Sequence, residues 1–249
     1  MDKDAINACA ALVERGDPDR FLAAMAAPGA ARGALFVLYA FNLELARAPW
    51  VTAEPLIARM RLQFWREVVA LQDHKAHEVA APLQALIRDG LPVAPLEAMI
   101  DAREAEIGDP APFAEAAALW TYLEDNAGAL MRASVLALGG PDSAAAGDFG
   151  AAQGLANYLR AVPALAAAGR RALPGDVPVA DLARAGLERL AAARPGLKGL
   201  PRAALLAGWQ TRPVLRLAAA APHRVGDGTL APSEFSRRGS LLWHSWRGI

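Results

Sequence analysis

The chain has 249 residues, a formal net charge of zero at pH 7 and a hydrophobic fraction of 54%. This length is enough to bury one large core, so we expect a single domain over residues 1–249. Zero net charge argues against a general nucleic-acid-binding protein. The sequence contains no run of the roughly 18 apolar residues that a membrane-spanning helix requires.

The N-terminal sequence and the cysteine content indicate in which cellular compartment the protein works. The first residues, MDKDAINACAALVERGD, are charged and lack the apolar stretch of a secretory signal. Cys9 is the single cysteine, so no internal disulfide can form, which is typical of a reducing environment. We therefore expect a cytoplasmic protein, either free or peripheral at the inner face of the membrane.

The sequence predicts helices throughout. Alanine, the best helix former, is abundant, and sustained β-branched alternation and Asn-Gly hairpin turns are missing. Asp19 and Asp142 are expected to cap helices, and Pro163 is expected to bend or end one. Glycine and proline punctuation predicts a linker over 222–232 and helices over 4–15, 20–26, from 28 onward, 52–71, 80–88, 95–107, 113–138, from 142 onward, 178–194 and 201–221.

Several polar clusters are interpreted as ordinary surface. On the 52–71 helix, Leu62, Trp65 and Val69 form a core stripe, and neighbouring charged residues are solvated. His74 and His77 have metal-ligand spacing, but a solvated helix end is the favoured interpretation because a third ligand is missing nearby. Solvated positions are also expected for the acidic residues Asp101, Glu104, Glu106, Glu124 and Asp125.

The C-terminal part of the chain is basic. Residues 198–249 hold eight basic and two acidic side chains, so they carry a net charge of +6 in a neutral protein. The tail at 233–249 adds Phe235, Leu242, Trp243 and Trp246 on one helical face. Arginine with tryptophan is typical of an interfacial helix on an anionic membrane surface. The favoured alternative is a terminal helix that packs on the bundle.

Residues 152–174 read AQGLANYLRAVPALAAAGRRALP. This segment resembles the second diphosphate-binding segment of the squalene and phytoene synthase family. It keeps Asn157, Arg160 and Arg170 of the family pattern. Ala161 and Leu165 stand where the family has two aspartates, four residues apart on one helix face.

A second segment, residues 28–50, reads PGAARGALFVLYAFNLELARAPW and resembles the family's first aspartate-containing helix. Arg32 and Tyr39 match the family pattern. Ala46 and Trp50 stand at the outer aspartate positions, and Arg47 replaces another carboxylate. Arginine at this place would repel a divalent cation.

The resemblance implies a helical, single-domain bundle of the isoprenoid synthase type with a central cavity. In that family the aspartates hold Mg²⁺, a hard cation that takes oxygen ligands. Alanine, leucine and tryptophan supply none. We therefore expect no cofactor and no catalytic residue, with Mg²⁺ needed only if the chain is a prenyl transferase. The residues left to bind phosphate or line the cavity are Arg32, Tyr39, Asn157, Arg160 and Arg170.

The segments EPLIARMRLQFWREVV and FNLELAR are similar to a divergent branch of the family. The resemblance is strongest over residues 19–174, and the branch includes a mitochondrial assembly factor of respiratory complex I. It implies a non-catalytic protein that assists complex I assembly at the membrane surface and contacts a complex I subunit or assembly intermediate. Two alternatives stay open: a metal-independent binder of a prenyl or lipid phosphate, and a prenyl transferase of squalene or phytoene biosynthesis.

Overall fold

The computed structural model describes residues 2–50, 54–72, 77–109, 111, 113–231 and 239–243. All regular secondary structure in these residues is helical, which confirms the all-α prediction. Within the same residues, no helix is both long enough and apolar enough to cross a bilayer.

The first half of the bundle contains six helices within the described residues: α1 (Lys3–Gly16), α2 (Pro18–Ala26), α3 (Gly29–Arg47), α4 (Pro55–Val69), α5 (Ala80–Arg88) and α6 (Ala94–Glu104). The second half contains α7 (Ala116–Leu123), a π-helix (Glu124–Gly128), α8 (Ala129–Ala137), α9 (Ala144–Ala167), α10 (Val179–Ala193), α11 (Arg202–Leu205), α12 (Thr211–Ala220) and α13 (His223–Gly226). Short 3₁₀ turns follow α10 and α11.

Two expected long helices are interrupted. The helix expected over 113–138 is divided by the π-helix, which separates α7 from α8. The helix expected over 201–221 is divided around Gly208, where an added Cβ would lie only 2.2 Å from the Phe149 ring. In contrast, α9 continues to Ala167, past Pro163, and α13 lies within the expected linker at 222–232.

Two of the expected helix caps were assigned to the wrong residue. Asp17, not Asp19, caps α2, because its side chain accepts a hydrogen bond from the Arg20 backbone N–H. Ser143, not Asp142, caps α9 in the same way. Asp142 instead accepts two hydrogen bonds from the Arg132 guanidinium, which lowers the pKa of the Asp142 carboxyl.

The core has two main clusters of buried apolar side chains, which we call the α3 layer and the α9 layer. The first includes residues of α8 and the second residues of α9, and these two helices are in contact. The α3 layer is built on α3, whose residues 34–42 are all buried, with α1, α4, α5 and α6 around it. The α9 layer is built on α9 with α7, α10 and α12. The stripe expected on α4, Leu62, Trp65 and Val69, is buried and therefore confirmed.

The π-helix lies in close contact with α9, at glycines. A Cβ added at Gly150 would lie 2.6 Å from the Ala127 carbonyl oxygen, and one added at Gly154 would lie 2.5 Å from the Ala127 Cβ. Such distances leave no room for a larger side chain. The glycines of α9 therefore allow the π-helix to approach, and this approach positions the polar side chains described next.

Candidate functional site

A buried polar cluster lies between α6, α7 and the π-helix, and we call Arg103, Glu106, Tyr122 and Asn126 the inner polar cluster. Arg103 Nη1 donates to Glu106 Oε1 at 2.8 Å and to the Tyr122 hydroxyl at 2.7 Å. The Tyr122 hydroxyl donates to Glu106 Oε1 at 2.7 Å. When the Asn126 amide carbonyl faces Arg103, it accepts from Nη2 at 2.9 Å. The cluster is thus satisfied internally.

Electrostatics keep this cluster in a defined charge state. Burial raises the pKa of Tyr122 far above its usual range, so its hydroxyl stays a neutral donor. Burial disfavours the charged Arg103 guanidinium, but the facing oxygens of Tyr122 and Glu106 raise its pKa above its usual value. Arg103 is therefore a permanent cation, balanced by the adjacent carboxylate.

The position of Glu106 corrects the expectation that it is solvated. Helix α6 ends at Glu104, and Glu106 lies in the turn that follows it. A side chain in this turn does not continue the exposed face that carries Asp101 and Glu104. The Glu106 side chain is only 7% exposed, and Arg103, which the sequence also places among solvated acids, is buried with it.

Arg170 and Trp50 meet beside the inner polar cluster. The Arg170 guanidinium carbon lies 4.0 Å from the centroid of the Trp50 ring, a cation–π contact. Its Nη1 is 3.6 Å from Glu106 Oε2. The structure therefore brings together Arg170 and Trp50, two positions that the sequence resemblance matches to a diphosphate-binding arginine and to an aspartate of the family. An indole face and a protein carboxylate contact this guanidinium.

The other candidate residues have separate partners. Tyr39 is buried under the Arg20 guanidinium, 5.7 Å from its ring centroid, and burial raises the pKa of Tyr39 to about 12. Arg160 pairs with Asp19 of α2 at 2.9 Å. Arg32 Nε donates to the Ala27 carbonyl at 2.9 Å and lines a cavity of about 630 Å³ between α1, α2 and α3.

Asn157 is half-buried on α9. The other four candidates contact residues of α2, the α2–α3 turn, and Trp50 with Glu106, so these contacts do not gather them at one site. The role of all five candidates in phosphate binding stays a prediction, as does the central cavity.

The four positions at which the sequence resemblance places the family's aspartates do not fit Mg²⁺. Ala46, Ala161 and Leu165 are half-buried apolar side chains, and Trp50 is stacked against a cation. None of them offers the oxygen atoms that Mg²⁺ prefers. Across the residues with described structure, His, Cys, Asp and Glu form no group of three that could hold a metal ion.

The structure describes part of two further sets of residues considered in the sequence, the histidines at 74 and 77 and the acidic pair at 124 and 125. His77 is half-buried against Phe64 and Trp65, with ring centroids 5.4 and 4.9 Å away, which corrects the expectation of a solvated helix end. His74 lies outside the described residues. Glu124 and Asp125 are exposed, as expected. Partial desolvation next to the bundle, together with the negative charges of Glu124 and Asp101, raises the pKa of Asp125.

The tail expected at 233–249 lies mostly outside the described residues. Within 239–243, Leu241 is buried against the α3 layer, while Leu242 and Trp243 are 72% and 52% exposed. Leu241 therefore attaches the described part to the bundle, and whether the tail as a whole packs on the bundle or lies on a membrane stays a prediction.

Comparison with known proteins identifies the family. The family model of squalene/phytoene synthases matches residues 13–236. The chain belongs to the squalene/phytoene synthase family. Its fold is similar to that of a dehydrosqualene synthase, with a TM-score of 0.77 and 14% identity over 98% of this chain and 96% of the other. A squalene synthase HpnC from Alicyclobacillus acidocaldarius gives a TM-score of 0.61 and 16% identity over 98% and 94%.

Curated relatives carry a different name from these enzymes. The chain is 33% identical to NADH dehydrogenase (ubiquinone) complex I, assembly factor 6 of Bos taurus and 32% identical to that of Homo sapiens, in each case over 68% of this chain and 53% of the relative. The chain spans about half the length of the curated relatives it matches. Membership of the family and the isoprenoid synthase fold confirm the resemblance stated from the sequence.

Proposed function

We propose that this protein assists the assembly of respiratory complex I without catalysing prenyl transfer. The similarity to proteins named complex I assembly factor 6 supports the biological role. The observation that carries the non-catalytic part is the contact between Arg170 and Trp50, at a position where the family has a carboxylate.

The physical argument concerns charge. Metal-assisted ionisation of a diphosphate needs cations that neutralise the charge developing on the leaving group. Ala46, Trp50, Ala161 and Leu165 offer no oxygen ligands and therefore cannot gather a divalent cation. The charge of Arg170 already faces Glu106. A prenyl transferase of this family would need both aspartate pairs restored, so we rank this alternative below assembly.

The partner class we propose is a complex I subunit or assembly intermediate. Helix α4 supports protein contacts because Leu56, Ile57 and Met60 are 67%, 41% and 63% exposed at its N-terminal end. Adjacent exposed apolar side chains on one helix are typical of interaction surfaces. We further propose that the protein works at the membrane surface, where the basic, tryptophan-containing tail would lie on anionic lipid.

Deleting the encoding gene tests the assembly role. We expect less assembled complex I by native electrophoresis and lower NADH:ubiquinone oxidoreductase activity, both restored by the wild-type gene. A Leu56→Gln/Met60→Gln variant should restore less, whereas the matched control Leu71→Gln, at a 39% exposed residue outside α4, should restore fully. Normal complex I in the deletion strain would overturn the proposed role.

Purified protein tests the absence of prenyl transfer separately. Incubation with farnesyl diphosphate and Mg²⁺ should release no pyrophosphate above a heat-inactivated control. Release that a chelator abolishes would contradict the non-catalytic proposal and leave the assembly role to be judged by the genetic experiment.

A further inference from the structure

A second cavity, of about 980 Å³, lies on the outside of the bundle. Its walls come from the α2–α3 turn, the end of α8 and residues 194–206. We call it the cationic cavity because Arg194, Lys198 and Arg202 line it. Neither Trp50 nor Arg170 lines this cavity, so it is distinct from the position of the family's aspartates.

The three cations of this cavity have no ion-pair partner in the part of the chain that the structure describes. Among the residues that the structure describes, no carboxylate forms an ion pair with Arg194, Lys198 or Arg202, and no hydrogen bond is made by their side chains. The described lining also contains no aspartate or glutamate. Three cations around one cavity whose described lining holds no carboxylate give it a positive potential, which favours an anionic ligand.

The remaining walls are aliphatic. Leu138, Leu197 and Leu206 line the cavity together with alanines and prolines, and Leu206 is part of the buried α3 layer. A volume of about 980 Å³ lies at the upper end of the range for small-ligand pockets, about 300–1,000 Å³. Cations combined with leucine walls fit a ligand that has an anionic head and an apolar body.

We propose that the cationic cavity binds a phosphate-headed amphiphile with a single aliphatic chain. A phosphate monoester carries nearly two negative charges and three acceptor oxygens, and therefore matches three cations better than a carboxylate does. The aliphatic chain lies against the leucines, where it leaves water. This proposal does not depend on the role in complex I assembly.

Calorimetric titration of the full chain with decyl phosphate, below its critical micelle concentration, tests the proposal. We expect saturable binding that weakens as salt rises, because the cations are exposed. The triple variant Arg194→Gln/Lys198→Gln/Arg202→Gln should bind about tenfold more weakly or worse, since it loses the charge-assisted contacts. The matched control, Arg15→Gln/Arg212→Gln/Arg216→Gln, removes the same charge from exposed positions outside the cavity and should stay within about twofold.

Two further measurements separate the head from the chain. Inorganic phosphate and decanol should each bind far more weakly than decyl phosphate. Ala30→Trp should fill the cavity at an exposed position and reduce binding, whereas Ala70→Trp, exposed elsewhere, should not. Circular dichroism checks that each variant is folded, and the triple variant decides the matter if Ala30→Trp does not fold.

The proposal is overturned by any of four results. If the wild-type protein does not bind decyl phosphate, the cavity is not a binding site for such a ligand. If inorganic phosphate binds as tightly as decyl phosphate, the aliphatic walls do not contribute to binding. If decanol binds as tightly as decyl phosphate, the three cations do not contribute. A control triple variant that loses as much affinity as the cavity variant would mean that general charge, not this cavity, attracts the ligand.

Discussion

Glu106→Gln is the most direct test of the inner polar cluster. Glu106 is the carboxylate that faces two guanidiniums, Arg103 at 2.8 Å and Arg170 at 3.6 Å. Glutamine keeps the shape of the side chain and removes its charge. The substitution therefore leaves Arg103, whose side chain is 11% exposed, as a buried cation with only neutral partners nearby.

The expected loss of stability follows from this burial. Breaking a buried ion pair by removing one partner costs about 3–5 kcal/mol, because the remaining charge stays desolvated. The glutamine oxygen can still accept a hydrogen bond, so we expect the lower end, about 3 kcal/mol. For a chain of this length, that corresponds to a fall in Tm of roughly 6–12 °C.

Urea unfolding followed by circular dichroism measures the effect, and Glu104→Gln is the matched control. Glu104 undergoes the same substitution two residues earlier, but its side chain is 45% exposed and lies 3.4 Å from Arg66. An exposed pair of this kind contributes about 0–1 kcal/mol. The two variants should therefore differ by roughly 2 kcal/mol or more.

Equal and small losses for both variants would refute this reasoning. Such a result would mean that Glu106 is solvated, as the charge pattern of residues 101–106 alone suggested. A large loss in both would instead point to damage at the end of α6, independent of the ion pair.

Three other predictions concern stability and surface binding. Burial raises the pKa of all three tyrosines, so the protein should keep its full stability below about pH 10, the pKa of tyrosine in the unfolded chain, and lose stability as pH rises further. Tyrosinate absorbance should appear together with unfolding, and gradual titration of the folded protein near pH 10 would contradict the burial. Gly208→Ala should destabilise by about 1–3 kcal/mol in urea unfolding because its Cβ overlaps the Phe149 ring, and an unchanged midpoint would contradict that packing. Removing residues 232–249 should abolish flotation with anionic vesicles at low salt and, because Leu241 is buried, lower the free energy of unfolding by about 1.5–3 kcal/mol. Intact protein that does not float with the vesicles would exclude the membrane contact.

Local periodicity accounts for what the sequence predicted well. The buried stripe on α4 and the start and end of α10 follow from spacing and from proline and glycine positions. The caps of α2 and α9 were each displaced by one or two residues, since neighbouring polar residues compete for the same backbone N–H groups. Such errors move a boundary without changing the fold.

Long-range contacts account for what the sequence could not predict. Trp50 and Arg170 are separated by 120 positions, and no local pattern indicates that they stack. The inward position of Glu106 depends on where α6 ends. The close approach of the π-helix to α9 requires Gly150 and Gly154, which lie more than twenty residues after Ala127. In each case the contact joins segments that are distant in sequence.

Charge balance links the missing aspartates to the arrangement around Arg170. The guanidiniums of Arg103 and Arg170 share one carboxylate, Glu106, which leaves the group with one excess positive charge. In an active family member, the segment that residues 152–174 resemble would present its arginine to an anionic diphosphate. Here the electron-rich face of Trp50 contacts Arg170 instead, and cation–π attraction partly offsets the excess charge. A diphosphate would have to compete with both Trp50 and Glu106 for Arg170 without a metal ion to neutralise it, and this competition supports a role that does not depend on diphosphate chemistry.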